Sequence, residues 1–291
     1  MTRLGTAWTA EHVRHVGEIF RQGRNPAARV YESIGPDFFL APAPGWLNLG
    51  LWDGDGAGLA DEAEAACRRL VETIASALPP GGVIVDVGNG LGVQDPLIAE
   101  LVRPRRLVAV NITERQLVAG RPRLAEASAA PVAGDAARLP IAEGAADGVI
   151  SVEAAFHFSS RKAFFEECHR VLRPGGVVTM SDISTERRPL GPAELLSGLT
   201  QLRVFGLRLT AAMTARQIAA AAAAAGLADV QVTWCGDRVI APALRLASAR
   251  LSSAPAAPAG HLAVARLLLA QVDLLWRRHI IDYILLRATR P

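Results

Sequence analysis

Short, continuous apolar runs alternating with stretches of helical spacing organise the middle of this chain. The pattern predicts strands over 83–87, 106–111, near 131, 147–152 and 176–182, with helices from about Asp95, over 114–126 and over 161–171 between them. Pro174, Gly175 and Gly176 form a turn that ends one helix and starts the next strand. Upstream, Trp8, Val13, Val16, Ile19 and Phe20 recur at roughly helical spacing and predict an amphipathic N-terminal helix that packs as a cover. Residues 36–56 mix Pro, Gly and the aromatics Phe38, Phe39, Trp46 and Trp52, the signature of an ordered loop, and 61–77 reads as a helix with Asp61 as its N-cap. Residues 186–213 lack a strong period and interrupt the alternation as an insertion. After them come an Ala-rich helix stopped by Gly226, a strand over 229–235, a helix from about His261 and a last strand over 280–287.

Composition narrows the class. A chain of 291 residues suits one α/β core with added cover elements. The hydrophobic share of 51% is largely alanine, and the apolar stretches are broken by charges: Arg216 and Asp229 flank the alanine tract, and Arg266 and Asp273 interrupt the C-terminal leucines. No membrane span is expected, and the N-terminus lacks a signal-peptide core, so a cytoplasmic enzyme is the expectation. The net charge of +3 comes almost wholly from arginine, Lys162 being the only lysine, and no basic run interleaved with aromatics points to nucleic acid. Cys67, Cys168 and Cys235 are too widely spaced for a zinc site or a disulfide framework and read as buried apolar filler. No metal is expected.

The strand at 83–87 runs directly into Gly88, Asn89, Gly90, Leu91 and Gly92. Residues without side chains at the exit of a buried strand let a backbone turn sharply and approach a ligand closely. The spacing disfavours a pyrophosphate cradle. A dinucleotide fingerprint needs a third glycine five positions after the first, and those positions hold Val93 and Asp95.

The glycine pattern resembles motif I of the class I S-adenosylmethionine-dependent methyltransferases. Two further passages carry the same resemblance: Gly134, Asp135 and Ala136 followed by Leu139 and Pro140, and the run from Val171 to Gly176. Trp46 to Trp52 is similar to the aromatic stretch that closes over the cofactor in small-molecule members acting on sterols, sugars and polyketides. The resemblance implies a Rossmann-like, mostly parallel seven-stranded sheet with helices on both faces, an N-terminal helical cover over 1–60, a cofactor domain over 61–291 and a lid at about 186–213.

Residue by residue, it implies that Gly88, Asn89, Gly90 and Gly92 pass beneath S-adenosylmethionine. Asn111 takes the place of the usual acidic ribose ligand, with Ile112 beside it and Gln116 a further polar candidate. Asp135 would accept from the adenine amino group, the Ala136 backbone N–H would read a ring nitrogen, and Glu153 would lie near the methionine end. An amide at 111 is a weaker acceptor than a carboxylate.

Methyl transfer from an activated sulfonium asks chiefly for orientation, exclusion of water and one base. His157 follows the fourth strand on the carboxyl edge of the sheet and is the candidate base, with Asp182, at the end of the fifth strand, orienting it or touching substrate. His12, His15, His169, His261 and His279 read as structural or solvated. Phe38, Trp46, Phe156, Phe158, Phe205 and Trp234 are candidates for an apolar acceptor pocket, with Phe205 and Met213 on the lid. Together with these residues, the resemblance implies methylation of a hydrophobic secondary metabolite, most simply at oxygen, with nitrogen or carbon as alternatives, by a monomer or homodimer. Two other readings stay open: a protein of this fold that holds the cofactor structurally and catalyses a cyclisation, and a nicotinamide oxidoreductase, which the glycine spacing disfavours.

Overall fold

The computed structural model describes residues 42–54, 59–252 and 259–291. The N-terminal helix expected over Trp8 to Phe20, and the pocket candidate Phe38, lie outside them. Strands β1 (Val83–Val87), β2 (Arg106–Asn111), β3 (Ala129–Ala133), β4 (Ala146–Ser151), β5 (Leu172–Thr185), β6 (Ala228–Trp234) and β7 (Ile281–Thr289) form one sheet in the order β3-β2-β1-β4-β5-β7-β6. Only β7 runs against its neighbours; the other pairings are parallel. The order reverses between β1 and β4, and the crevice beyond their carboxyl ends is where such sheets bind ligands.

Helices α1 (Leu59–Ala75), α2 (Asp95–Val102), α3 (Glu114–Ala119), α4 (Arg121–Glu126) and α8 (Gly236–Ser252) cover one face, sharing a core with Trp46, Leu51 and Trp52. On the other face, α5 (Arg161–Val171) and α7 (Ala215–Ala224) close a second core around Phe164, Phe165, Met180 and Leu286. The central strands are buried on both sides, which is why their sequences read as unbroken apolar runs. The edge strand β6 alternates between half-buried and exposed positions instead.

Several expected boundaries move for identifiable reasons. Asp61 is inside the first turn of α1, where its charge suits the helix dipole, and is not the cap. The single helix expected over 114–126 is two, because Gly120 interrupts it and Pro122 starts the second. The Pro174–Gly176 turn lies within β5, which starts at Leu172; the register to β4 jumps from Ala146↔Leu172 to Gly148↔Val177, so these residues bulge out of the ladder. Helix α8, with Pro242 inside it, was not expected at all.

The insertion at 186–213 holds a helix, α6 (Pro192–Val204). Its buried positions are Ser197 and Gln201, the latter bonded through Nε2 to the Leu268 carbonyl and to Gln271 on α9 (Ala259–Arg277), while Leu195, Leu196 and Leu199 face outward. A helix that buries its polar side carries no apolar stripe to read.

Candidate active site

A cavity opens at the carboxyl ends of β1 and β4, lined by the glycine turn, the cover segment and the loop after β4. At Gly88, φ is +81° and an added Cβ would lie 2.5 Å from the Ala154 Cβ, so backbone geometry and close approach both require glycine. Gly90 has φ +59° and packs with no room to spare against Leu47. The turn is tied to the sheet by the Gly88 N–H, which donates to the Val110 carbonyl at 2.7 Å. Gly92 is a packing glycine behind the turn, against Leu124, and does not line the cavity.

The cover arrives through the chain from Ala43 to Trp52. Trp46, Leu51 and Trp52 are buried, and the Leu49 N–H donates to Glu153 Oε2 at 2.9 Å. Glu153 has a strained φ of +51°, held by its own N–H donating to Ser181 Oγ, and its carboxyl also accepts from the Tyr283 hydroxyl at 2.8 Å. Burial outweighs these donors and lifts the Glu153 carboxyl to about 8. One group thus joins the cover, β4 and β7 at the cavity wall.

Of the expected cofactor residues, Gly88, Asn89, Gly90, Ile112, Gln116, Asp135, Ala136 and Glu153 come together on this cavity. Asn111 does not line it. Its Nδ2 donates to the Gly90 carbonyl and to Gln116 Oε1, and its Oδ1 accepts from the Thr113 N–H, so the side chain braces the turn. Gln116, oriented by that contact, takes the place on the wall. Asp135 caps its own loop by accepting from the Ala137 N–H. Glycines that a side chain would crowd, an apolar platform at Ile112 and convergent polar groups at Gln116 and Asp135 suit a nucleoside.

His157 also lines the cavity, in a 3-10 turn (Ala155–His157). Burial, with the Arg161 cation second, pushes its imidazole down to about 3, and a ring N–H donates to the Phe205 carbonyl. It is a neutral ring across the working pH range, hence a weak base. Asp182 does not reach the cavity or bond to His157 directly. It is fully buried in a forked pair with Arg161, Nε to Oδ2 at 2.6 Å and Nη2 to Oδ1 at 3.1 Å, and it accepts from the Phe156 N–H, holding the turn that carries His157. Burial raises the Asp182 carboxyl above its ordinary range despite the guanidinium.

Among the pocket aromatics, Trp46 and Phe158 line the cavity. Phe156 is buried beside the His157 ring, Phe205 contributes its carbonyl, and Trp234 lies on the edge strand half exposed; none of the three lines the cavity. Residues the sequence reading missed include Arg161, Gln94, Asp95, Thr113 and Tyr283. Gln94 and Asp95 were within reach, standing directly after the glycine turn, whereas Tyr283 is brought in by a strand distant in sequence.

Residues 85–180 match a family model described as a methyltransferase domain. The erythromycin 3''-O-methyltransferase of Saccharopolyspora erythraea is 31% identical over 238 residues, covering 74% of this chain and 72% of the relative. Among solved structures, geranyl diphosphate C-methyltransferase from Streptomyces coelicolor A3(2) superposes with a TM-score of 0.71 at 16% identity over 91% of this chain and 96% of that one. The 4+2 cyclase SpnF superposes with a TM-score of 0.64 at 20% identity over 97% and 96%. Identities this low establish a shared architecture only.

Proposed function

The chain belongs to the class I S-adenosylmethionine-dependent methyltransferases, and from that premise we propose that it methylates a hydroxyl group of a hydrophobic secondary metabolite. S-adenosylmethionine is its cofactor and small molecules are its acceptors. Bound, the cofactor supplies a methyl group already activated on a sulfonium. Gln116, Asp135 and the Ala136 N–H would hold the nucleoside part, with Ile112 as its apolar neighbour, and the turn from Gly88 to Leu91 offers bare main chain.

The observation that carries the oxygen reading is the pairing of Glu153 and His157 on the cavity wall, beside Trp46, Leu47, Val152 and Phe158. The apolar side chains exclude water and receive an apolar acceptor. His157, kept neutral, orients the acceptor hydroxyl by hydrogen bonding. Glu153 takes the hydroxyl proton as the oxygen–carbon bond forms, its raised carboxyl matching the needs of a base near neutral pH. Tyr283 and the Leu49 N–H position that carboxyl, and the Arg161–Asp182 pair supports the turn beneath His157. The erythromycin relative, named for methylation at oxygen, favours the same acceptor atom.

The test is incubation with methyl-labelled S-adenosylmethionine and a panel of hydroxylated hydrophobic metabolites, erythromycin-class compounds first. One label incorporated as a methyl ether per S-adenosylhomocysteine formed is the expected result. Acceptor conversion without S-adenosylhomocysteine would overturn it in favour of a non-methylating reaction.

A further inference from the structure

Beneath the glycine turn lies a polar cluster that the proposed reaction does not use. Asp86 on β1 and Asp95 at the start of α2 are both fully buried. Gln94 Nε2 donates to Asp86 Oδ2 at 2.7 Å, and Asn89 Nδ2 donates to Asp95 Oδ2 at 3.1 Å. The turn rests directly on this cluster, since a Cβ at Gly92 would lie 3.5 Å from Asp95 Oδ2. Three acceptor oxygens, Asp86 Oδ1, Asn89 Oδ1 and Asp95 Oδ1, have no hydrogen-bond partner among the described residues.

Buried acceptors clustered on neighbouring residues without donors imply a missing proton or cation. Among the described residues the surroundings supply no cation. Asp86 pairs in the sheet with Ala109 and Ile150, the Arg123 guanidinium of α4 is directed to the Leu91 carbonyl, and the group across the cavity is the Glu153 carboxyl. Two carboxylates so placed do not both ionise readily. Burial and the neighbouring Asp95 raise Asp86 well above its ordinary value, and burial lifts Asp95 to about 7.

We infer that Asp86 and Asp95 share one proton under the glycine turn and release it when a cationic ligand enters the cavity, so that the pair favours the positively charged methyl donor over its neutral demethylated product. The inference rests on the proposed cofactor site and adds a means of product release to it. S-adenosylmethionine carries a net positive charge at neutral pH and S-adenosylhomocysteine carries none. A ligand cation over the turn stabilises the doubly ionised pair, and its loss on methyl transfer lets the proton return. Asp86 and Asp95 act through Gln94 and Asn89, which line the cavity, and are therefore positioning residues.

Titration calorimetry near pH 7 in buffers of different ionisation heat counts the protons. About one proton is expected to leave with S-adenosylmethionine and almost none with S-adenosylhomocysteine, and the ratio of the two affinities should rise by up to about tenfold per pH unit until the pair is ionised. Asp95→Asn removes a like charge, so the midpoint of that rise should move to lower pH while S-adenosylhomocysteine still binds. Equal proton counts for the two ligands in the wild-type protein, or an unmoved midpoint in a folded variant, would overturn the inference. Failure of both ligands to bind wild-type protein would instead strike the cofactor site itself.

Discussion

Two regions of this molecule bury charge in opposite ways. Under α5, Arg161 and Asp182 satisfy each other at 2.6 Å, with the remaining guanidinium donors on the Ala211 and Ile183 carbonyls. Around the cavity, Asp86 and Asp95 have no ion-pair partner among the described residues, and Glu153 has only neutral donors. Burial is similar and partnership is not. A buried charge with a complete set of partners holds the fold together, whereas carboxyls left without a cation are held above their ordinary range by burial and are poised to respond to a ligand or to a reacting hydroxyl.

The sharpest way to break this comparison is to remove one member of the satisfied pair. Arg161→Met strands the Asp182 carboxylate and should cost about 3–5 kcal/mol in denaturant unfolding, with much of that recovered in Arg161→Met combined with Asp182→Leu. A loss under about 1 kcal/mol would mean that the pair is not structural. On the cavity side, Glu153→Gln should lower kcat by roughly 10²–10⁴ while S-adenosylhomocysteine affinity stays within about threefold, because only the proton acceptor is lost. With Glu153 as the base, the wild-type rate should rise with pH toward about 8. A pH-independent rate between 6 and 8 would exclude that role.

Per pH unit, a smaller effect comes from His157, which separates the two regions. Its folded-state value, about 3, lies below the ordinary 6.5, so the neutral form is the native one. The stability this gives is present above pH 6.5 and is lost as pH falls through that value, by up to about 1.4 kcal/mol per pH unit. His157→Gln should flatten that acid limb of the unfolding curve. An unchanged limb would show that His157 is solvated.

The same contrast explains what could be read from the chain. The glycine turn, the Gly134–Ala136 loop and the strands around them were legible because local backbone needs dictate residue type: positive φ at Gly88 and Gly90, and two-sided burial in β1 and β4. The partners of each side chain were not. Asn111 is turned inward by Gly90 and Gln116, and Asp182 is claimed by an arginine on another element. Pairings of that kind depend on which helix lands beside which strand, and no spacing along the chain encodes them. Helix α6 escaped for a related reason, its buried positions being the polar Ser197 and Gln201.

Hydrogen exchange with and without saturating S-adenosylhomocysteine tests the division most directly. Slower exchange is predicted in segments 45–49, 88–93 and 134–136 around the cavity, with segments 161–172 and 182–185 around the satisfied pair unchanged. Protection confined to the second set, or spread evenly over both, would contradict the account.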